Sequence, residues 1–257
     1  MDVKSWDQFG PDYDQPPFSG KPRTYVVAAS PRSGSNLLGH LLMSTKVLGS
    51  PFEYFHPVHA RTWMPLLGVS DFQSMIEGIQ ARRTSPTGWF GVKSHWFQFR
   101  RLLANEPLMR FLAIERYIEI RRRDRLAQAI SWVMARQTNA WISFQDRETQ
   151  PQYDFAAIQS AVAAVQTEVE GWDRFFTQRK IPRLVIHYED LVERPRGIMK
   201  QLLQRFDLQG ADIAPGSRFP KRQASEINAE WRERFLKDLA ERAPVERSIA
   251  PTPATPA

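Results

Sequence analysis

Residues 24–46, TYVVAASPRSGSNLLGHLLMSTK, constrain the chain more than any other stretch. The β-branched and apolar run Tyr25-Val26-Val27-Ala28-Ala29 reads as a buried strand. It stops at Ser30-Pro31, passes through Arg32-Ser33-Gly34-Ser35, and opens a segment with Leu37, Leu38, Leu41 and Leu42 at helical spacing. A small-residue loop between a buried strand and a helix N-terminus aims backbone N–H groups and the positive end of the helix dipole at one spot, which suits a phosphate or sulfate. Arg32 adds a planar, always-charged fork beside it. The loop has one Gly and no Gly-Lys-Ser/Thr, so it is not a Walker A sequence, and ATP-dependent phosphoryl transfer becomes a secondary reading.

The strand-loop-helix order then repeats. Trp89-Phe90-Gly91-Val92-Lys93 reads as a second buried strand ending in a Lys, Tyr117 to Ile120 as a third, and Leu184 to Tyr188 as a fourth. Between them, the spacing predicts helices over 70–84 with Ser70 or Asp71 as N-cap, over about 97–103, through about Gln137 after the third strand, and from Asp154 to about Lys180. Pro195 stands where another helix would start, and a last amphipathic helix covers about Glu226 to Arg242. Alternating strands and helices predict an α/β fold, a P-loop-like parallel sheet flanked by helices on both faces, with ligands at the C-terminal strand edges. Residues 1–22 read as an irregular arm packing through Trp6, Phe9, Tyr13 and Phe18, residues 23–243 as one domain, and residues 244–257 as a disordered tail. Residues 139–153 read as a loop or lid carrying Trp141 and Phe144.

Composition narrows the chemistry. There is no Cys, which excludes disulfide frameworks, thiolate nucleophiles and Cys-ligated zinc. The formal charge of +7 fits nucleic acid, anionic lipid or a small polyanion equally well. No run of five Lys/Arg occurs, and the densest cluster, Arg121-Arg122-Arg123 with Arg125, sits beside Asp124; a concentrated anion site fits better than a basic tail. The acidic, Pro-rich N-terminus lacks the pattern of a signal peptide, and no apolar run approaches 18 residues, so a cytoplasmic protein without a transmembrane segment is expected.

Taken together, four segments resemble the PAPS-dependent sulfotransferases, most closely the bacterial Stf0-type carbohydrate sulfotransferases: YVVAASPRSGSNLL, SPFEYFHP, IEIRRRDRLAQAISW, and VIHYEDLVERP with KRQASEINAEW. The resemblance spans roughly residues 23–235. It implies that Arg32, Ser33, Gly34, Ser35 and Asn36 hold the phosphosulfate, although Asn36 departs from the commoner Thr. It implies that Arg123 and Ser131, eight residues apart, hold the 3′-phosphate. Asp124, Gln128 and Ser131 share a polar helix face, which would turn the Ser131 hydroxyl toward the same anion. Arg222 matches a basic loop near that phosphate, without the family's glycines.

The same resemblance makes Glu53 the base that takes the acceptor hydroxyl proton, with Arg32 stabilising charge on the phosphosulfate bridge. A carboxylate among Phe52, Tyr54 and Phe55 is expected to be partly desolvated, with a raised pKa. His56 is the competing base. Lys93, at a strand end, is a candidate for the sulfuryl oxygens or the acceptor, and Trp96, Trp141, His56, His95 and Trp89 are candidate acceptor contacts. Tyr188-Glu189-Asp190 reads as structural, Asp190 capping or orienting the next turn.

The expected activity is sulfuryl transfer from PAPS, leaving PAP, to a hydroxyl of a carbohydrate or glycolipid, without a metal and without nucleic acid. Stf0-type relatives imply a homodimer. The alternatives are an ATP-dependent P-loop-like kinase and a non-catalytic module binding anions or nucleic acid.

Overall fold

The computed structural model describes residues 7–141, 148–214 and 226–249. Four parallel strands form its sheet: β1 (Arg23–Ala29), β2 (Trp89–His95), β3 (Ile114–Arg121) and β4 (Leu184–His187), in the spatial order β2-β1-β3-β4. Helices α1 (Ser35–Ser44), α2 (Pro57–Leu67), α3 (Phe72–Arg83), α4 (Trp96–Leu103), α5 (Glu106–Leu112), α6 (Arg125–Thr138), α7 (Phe155–Arg179), α8 (Tyr188–Glu193), α9 (Pro195–Arg205) and α10 (Glu226–Ile249) surround it. The described chain is therefore the α/β arrangement that the alternating pattern predicts.

The two-residue period of β1 explains the layering. Tyr25, Val27 and Ala29 face a core shared with Leu38, Leu41 and Leu42 of α1 and Met199, Leu202 and Leu203 of α9. Val26 and Ala28 face the opposite core, with Trp63, Met75, Ile76, Phe99 and Trp172. A strand buried on both sides reads as a continuous apolar run, which is how residues 25–29 look. A third cluster joins Ile130 and Val133 of α6, Ile158 of α7, and Trp231 and Phe235 of α10.

Strand order positions the site. The chain leaves β1 for β2 on one side, then crosses back to β3 on the other, so the C-terminal ends of β1 and β3 border a crevice at the point where the winding reverses. The loop before α1 leaves one wall of that crevice, and the Arg122–Asp124 segment leaves the other.

Helix starts follow legible caps. Asp71, Asp124 and Asp154 each accept a backbone N–H three residues on, at 2.9 Å, a contact worth about 1 kcal/mol per helix. Three helices go beyond the sequence expectation: α2, α5 and α8. Pro65 lies inside α2 and masks its period, while Pro57 at its start and Asn105 before α5 are ordinary start signals. The last helix also runs on to Ile249 rather than ending near Arg242. Pro244 removes one hydrogen bond there without ending the helix.

The arm is docked by a buried arginine. The Arg83 side chain, fully buried, pairs with Asp14 at 3.2 Å and donates to the Gly10 carbonyl at 3.0 Å. Phe9 meets Trp63 edge-on at 5.5 Å, and Tyr13 meets Phe52 at 4.9 Å. Trp6 lies outside the described residues. No helix among the described residues is long and apolar enough to cross a membrane.

Candidate active site

The loop after β1 is shaped by two residues in the left-handed region, Arg32 at φ 61° and Gly34 at φ 95°. Gly34 is required twice over: its φ suits glycine, and a Cβ there would run into the Tyr188 ring. Gly34 is also the N-cap of α1 and supplies no side chain to the helix N-terminus. The adjoining Ser33 hydroxyl is fully buried with no hydrogen-bond partner. Backbone donors, a helix dipole and an orphan hydroxyl thus converge where the sequence places an anion.

Helix α6 holds this loop from the side. Gln128, itself buried, donates to Ser30 Oγ at 2.8 Å and to the Pro31 carbonyl at 2.7 Å. One turn on, Ser131 Oγ accepts from Arg32 Nε at 3.0 Å, and Arg32 also donates to the Trp141 carbonyl. Burial, with the positive charge of Arg122 adding to it, pulls the Arg32 pKa down to about 10, which still leaves it charged at neutral pH. The Arg122 guanidinium lies over the Tyr188 ring at 5.0 Å, so Tyr188 is packed between it and Gly34.

Arg121 and Arg123 turn elsewhere. Arg121 joins a network with Glu119, Asp173 and Arg183 beneath the sheet edge. Arg123 forms a two-pronged pair with Asp190, Nη1 to Oδ1 at 2.8 Å and Nη2 to Oδ2 at 2.7 Å. The Glu189 carboxylate accepts the Arg123 N–H at 3.1 Å. Asp190, expected to cap or orient the following turn, instead holds the arginine that the resemblance assigns to the 3′-phosphate.

β2 runs two residues past the expected end at Lys93, and buried Lys93 lies within it between two partners. Its ammonium donates to Asn36 Oδ1 at the start of α1 and pairs with Glu53 Oε1 at 3.2 Å. Glu53 Oε2 accepts from Gln98 Nε2 at 2.8 Å and lies 3.8 Å from His95 Nδ1. The expected rise in the Glu53 pKa is overturned. Burial does favour the neutral acid, but the positive surroundings at His95 and Lys93 and the Gln98 amide outweigh it and hold the carboxyl well below the usual range. The aromatic neighbours desolvate; the charges decide. His95 is itself pushed down, by burial first, with Glu53 acting against that.

The remaining candidates separate. His56, the competing base, uses Nδ1 to accept the Val58 N–H at 3.3 Å as the cap of α2. Trp96 packs against Trp172, ring centroids 5.4 Å apart, in close contact with Gly171, and so serves the α4–α7 contact. Trp89 is core. Trp141 is 40% exposed; its carbonyl accepts from Arg32 and its indole N–H donates to Asn139 Oδ1 at 3.1 Å. Arg222 lies outside the described residues, as does Phe144.

Gln128, Gln98, Arg122 and Tyr188 escape the sequence reading as site residues. Gln98, three residues after the cap of α4, accepts the His95 N–H at 3.0 Å, so its capping-box spacing was the available signal. Among the described residues no group of three or more acidic or His side chains is placed to hold a metal ion.

A family model described as Stf0 sulphotransferase matches residues 24–238. The trehalose 2-sulfotransferase of Mycolicibacterium smegmatis is 26% identical over 268 aligned positions, covering 86% of this chain and 97% of that protein. The trehalose 2-sulfotransferase of Mycobacterium tuberculosis is 26% identical over 261, covering 83% and 94%. Among solved structures, a sulfotransferase domain from the curacin biosynthetic pathway aligns with a TM-score of 0.43 at 19% identity, over 74% of this chain and 75% of that one. The matched span holds the loop, both crevice walls and the Lys93–Glu53 pair, and the chain belongs to the Stf0 sulphotransferase family of sulfotransferase enzymes.

Proposed function

We propose that the protein transfers the sulfuryl group of PAPS to a carbohydrate hydroxyl, with the donor in the crevice between β1 and β3 and the acceptor at Glu53. One observation carries this reading: the Lys93 ammonium touches both Asn36, at the mouth of the anion loop, and Glu53. Donor end and base are joined through a single cation.

The residues fit a phosphosulfate. The buried Ser33 hydroxyl, which has no hydrogen-bond partner, and the uncapped N-terminus of α1 are donors that an anion would satisfy, and the charged Arg32 stands in the same loop. When bound, PAPS supplies the activated sulfuryl group. Arg32, steadied by Ser131, supports the negative charge that gathers on the phosphate side.

Glu53 is ionised at neutral pH, ready to accept the proton of an acceptor hydroxyl as its oxygen attacks sulfur. Lys93 keeps the carboxylate aimed toward the crevice. Arg123 remains the candidate for the 3′-phosphate, using the Nε edge of its fork while Asp190 holds the opposite end. Trp141, whose carbonyl accepts from Arg32, is a candidate acceptor contact beside the donor loop. Trehalose is the first acceptor to try, because both curated relatives carry it in their names; a glycolipid bearing the same sugar is the second.

Calorimetry with PAP, with ATP as the competitor, tests the donor. Binding of PAP and indifference to ATP are expected; ATP binding without PAP binding would overturn the assignment.

A further inference from the structure

We propose that His59 is a positioning residue for Glu53, and that Gln8 of the N-terminal arm holds it in that role. The inference rests on the reading of Glu53 as the base. His59 Nδ1 lies 2.9 Å from the Glu53 carbonyl oxygen. A carbonyl can only accept, so Nδ1 carries the proton. Burial, ahead of its other contacts, lowers the His59 pKa, which keeps the ring neutral and Nε2 a lone pair. Gln8 Nε2, an amide donor, stands 3.0 Å from that lone pair. The hydrogen bonds therefore run in one direction, from Gln8 through His59 to the main chain of Glu53.

The ring is also wedged. Phe9 meets it edge-on at 5.7 Å, and the His56 ring lies 4.8 Å away. Residues 50–56 form no helix or extended strand, so no regular ladder fixes the direction of the 53–54 peptide. Two main-chain anchors replace it. The Phe52 carbonyl accepts the Lys93 N–H at 2.9 Å, and the Glu53 carbonyl accepts the His56 N–H at 3.1 Å together with His59. Without His59 the second anchor is halved, and rotation of that peptide swings the carboxylate off its line with Lys93 and Gln98. A displacement of about 1 Å in a reacting group can cost about a hundredfold in rate.

The test compares His59→Ala, His59→Asn, His59→Gln and Gln8→Ala with Glu53→Gln, in the full chain. PAP affinity is read by calorimetry, and turnover by sulfur-35 transfer from PAPS to trehalose. His59→Ala is expected to lower kcat by about tenfold or more while PAP affinity stays at the native level. Asn places its amide nitrogen where Nδ1 was and should recover most of the loss. Gln places its amide nearer Nε2 and should not. Gln8→Ala should give a smaller loss of kcat in the same direction.

Native turnover in His59→Ala, or equal activity of the Asn and Gln variants, would overturn the inference. Where His59→Ala fails to fold, the Asn and Gln pair carries the comparison. Native turnover in Glu53→Gln would instead remove the base reading on which the inference stands.

Discussion

Arg32 Nε donates to Ser131 Oγ at 3.0 Å, bridging the loop after β1 and the second turn of α6. The family resemblance assigns these residues to opposite ends of the donor, Arg32 to the phosphosulfate and Ser131 to the 3′-phosphate. In the fold they share one hydrogen bond, so α6 sets the direction of the loop arginine. Gln128, one turn earlier on the same face, fixes the loop's main chain. The loop proposed as the anion cradle is therefore a joint product of two strand-loop-helix units.

Ser131→Ala removes an uncharged partner from a charged donor, a loss of about 1.5–3 kcal/mol when nothing replaces it. PAP affinity is expected to fall by about tenfold or more, as read by calorimetry. Gln128→Ala should weaken binding as well, through the loop rather than through contact with the ligand. Unchanged affinity in both variants would contradict the α6 clamp.

Gly34→Ala should cost more than either. The left-handed backbone is worth about 1–2 kcal/mol against a Cβ, and that Cβ also meets the Tyr188 ring. Thermal unfolding should show the loss, and PAP binding should be weakened with it. Tyr188→Ala in the same chain should relieve only the contact and leave the backbone cost.

Much of this was legible. The buried strand, the small-residue loop and the leucine spacing specify β1, the turn and α1 because each signal is local. The Asp71 cap before α3 was legible for the same reason; Asp124 and Asp154 cap α6 and α7 without having been read as caps. The Lys93–Glu53 contact was not, since it depends on the bridge that lays Phe52 beside Val92 of β2. That is why the aromatic neighbours suggested a raised Glu53 pKa while the structure gives a lowered one. The Arg123–Asp190 pair was hidden likewise: a run of arginines does not say which member turns toward a carboxylate 67 positions away.

The arm should matter for stability. Arg83 is fully buried, and its charge is met by Asp14. Removing one partner of a buried pair typically costs about 3–5 kcal/mol, and the partial exposure of Asp14 places Asp14→Ala at about 3 or below. A lowered midpoint in thermal unfolding is expected, and Arg83→Met with Asp14→Ala together should recover part of it. A native midpoint in Asp14→Ala would contradict the docking.

Protonation of three buried histidines should weaken the fold as the pH falls. His40, His59 and His95 all have native pKa values lowered from 6.5, by burial first. Their contribution is complete above the unfolded value of about 6.5 and is lost as the pH drops below it. Burial lifts the Glu168 carboxyl to about 7, which works the other way, its cost easing as the pH falls from 7 toward 4.5. Glu168→Gln removes that opposing change. In that chain the melting midpoint should hold from about pH 8 to 7 and fall by about pH 5.5; a midpoint rising on acidification there would contradict the sign.

The rate of sulfur-35 transfer from PAPS to trehalose by Glu53→Gln, beside the native protein, bears most directly on the whole account. Gln keeps the shape and the contact with Gln98 but cannot take a proton. The account predicts a drop of about a hundredfold to ten-thousandfold in kcat, with PAP affinity retained. Transfer at the native rate would contradict it.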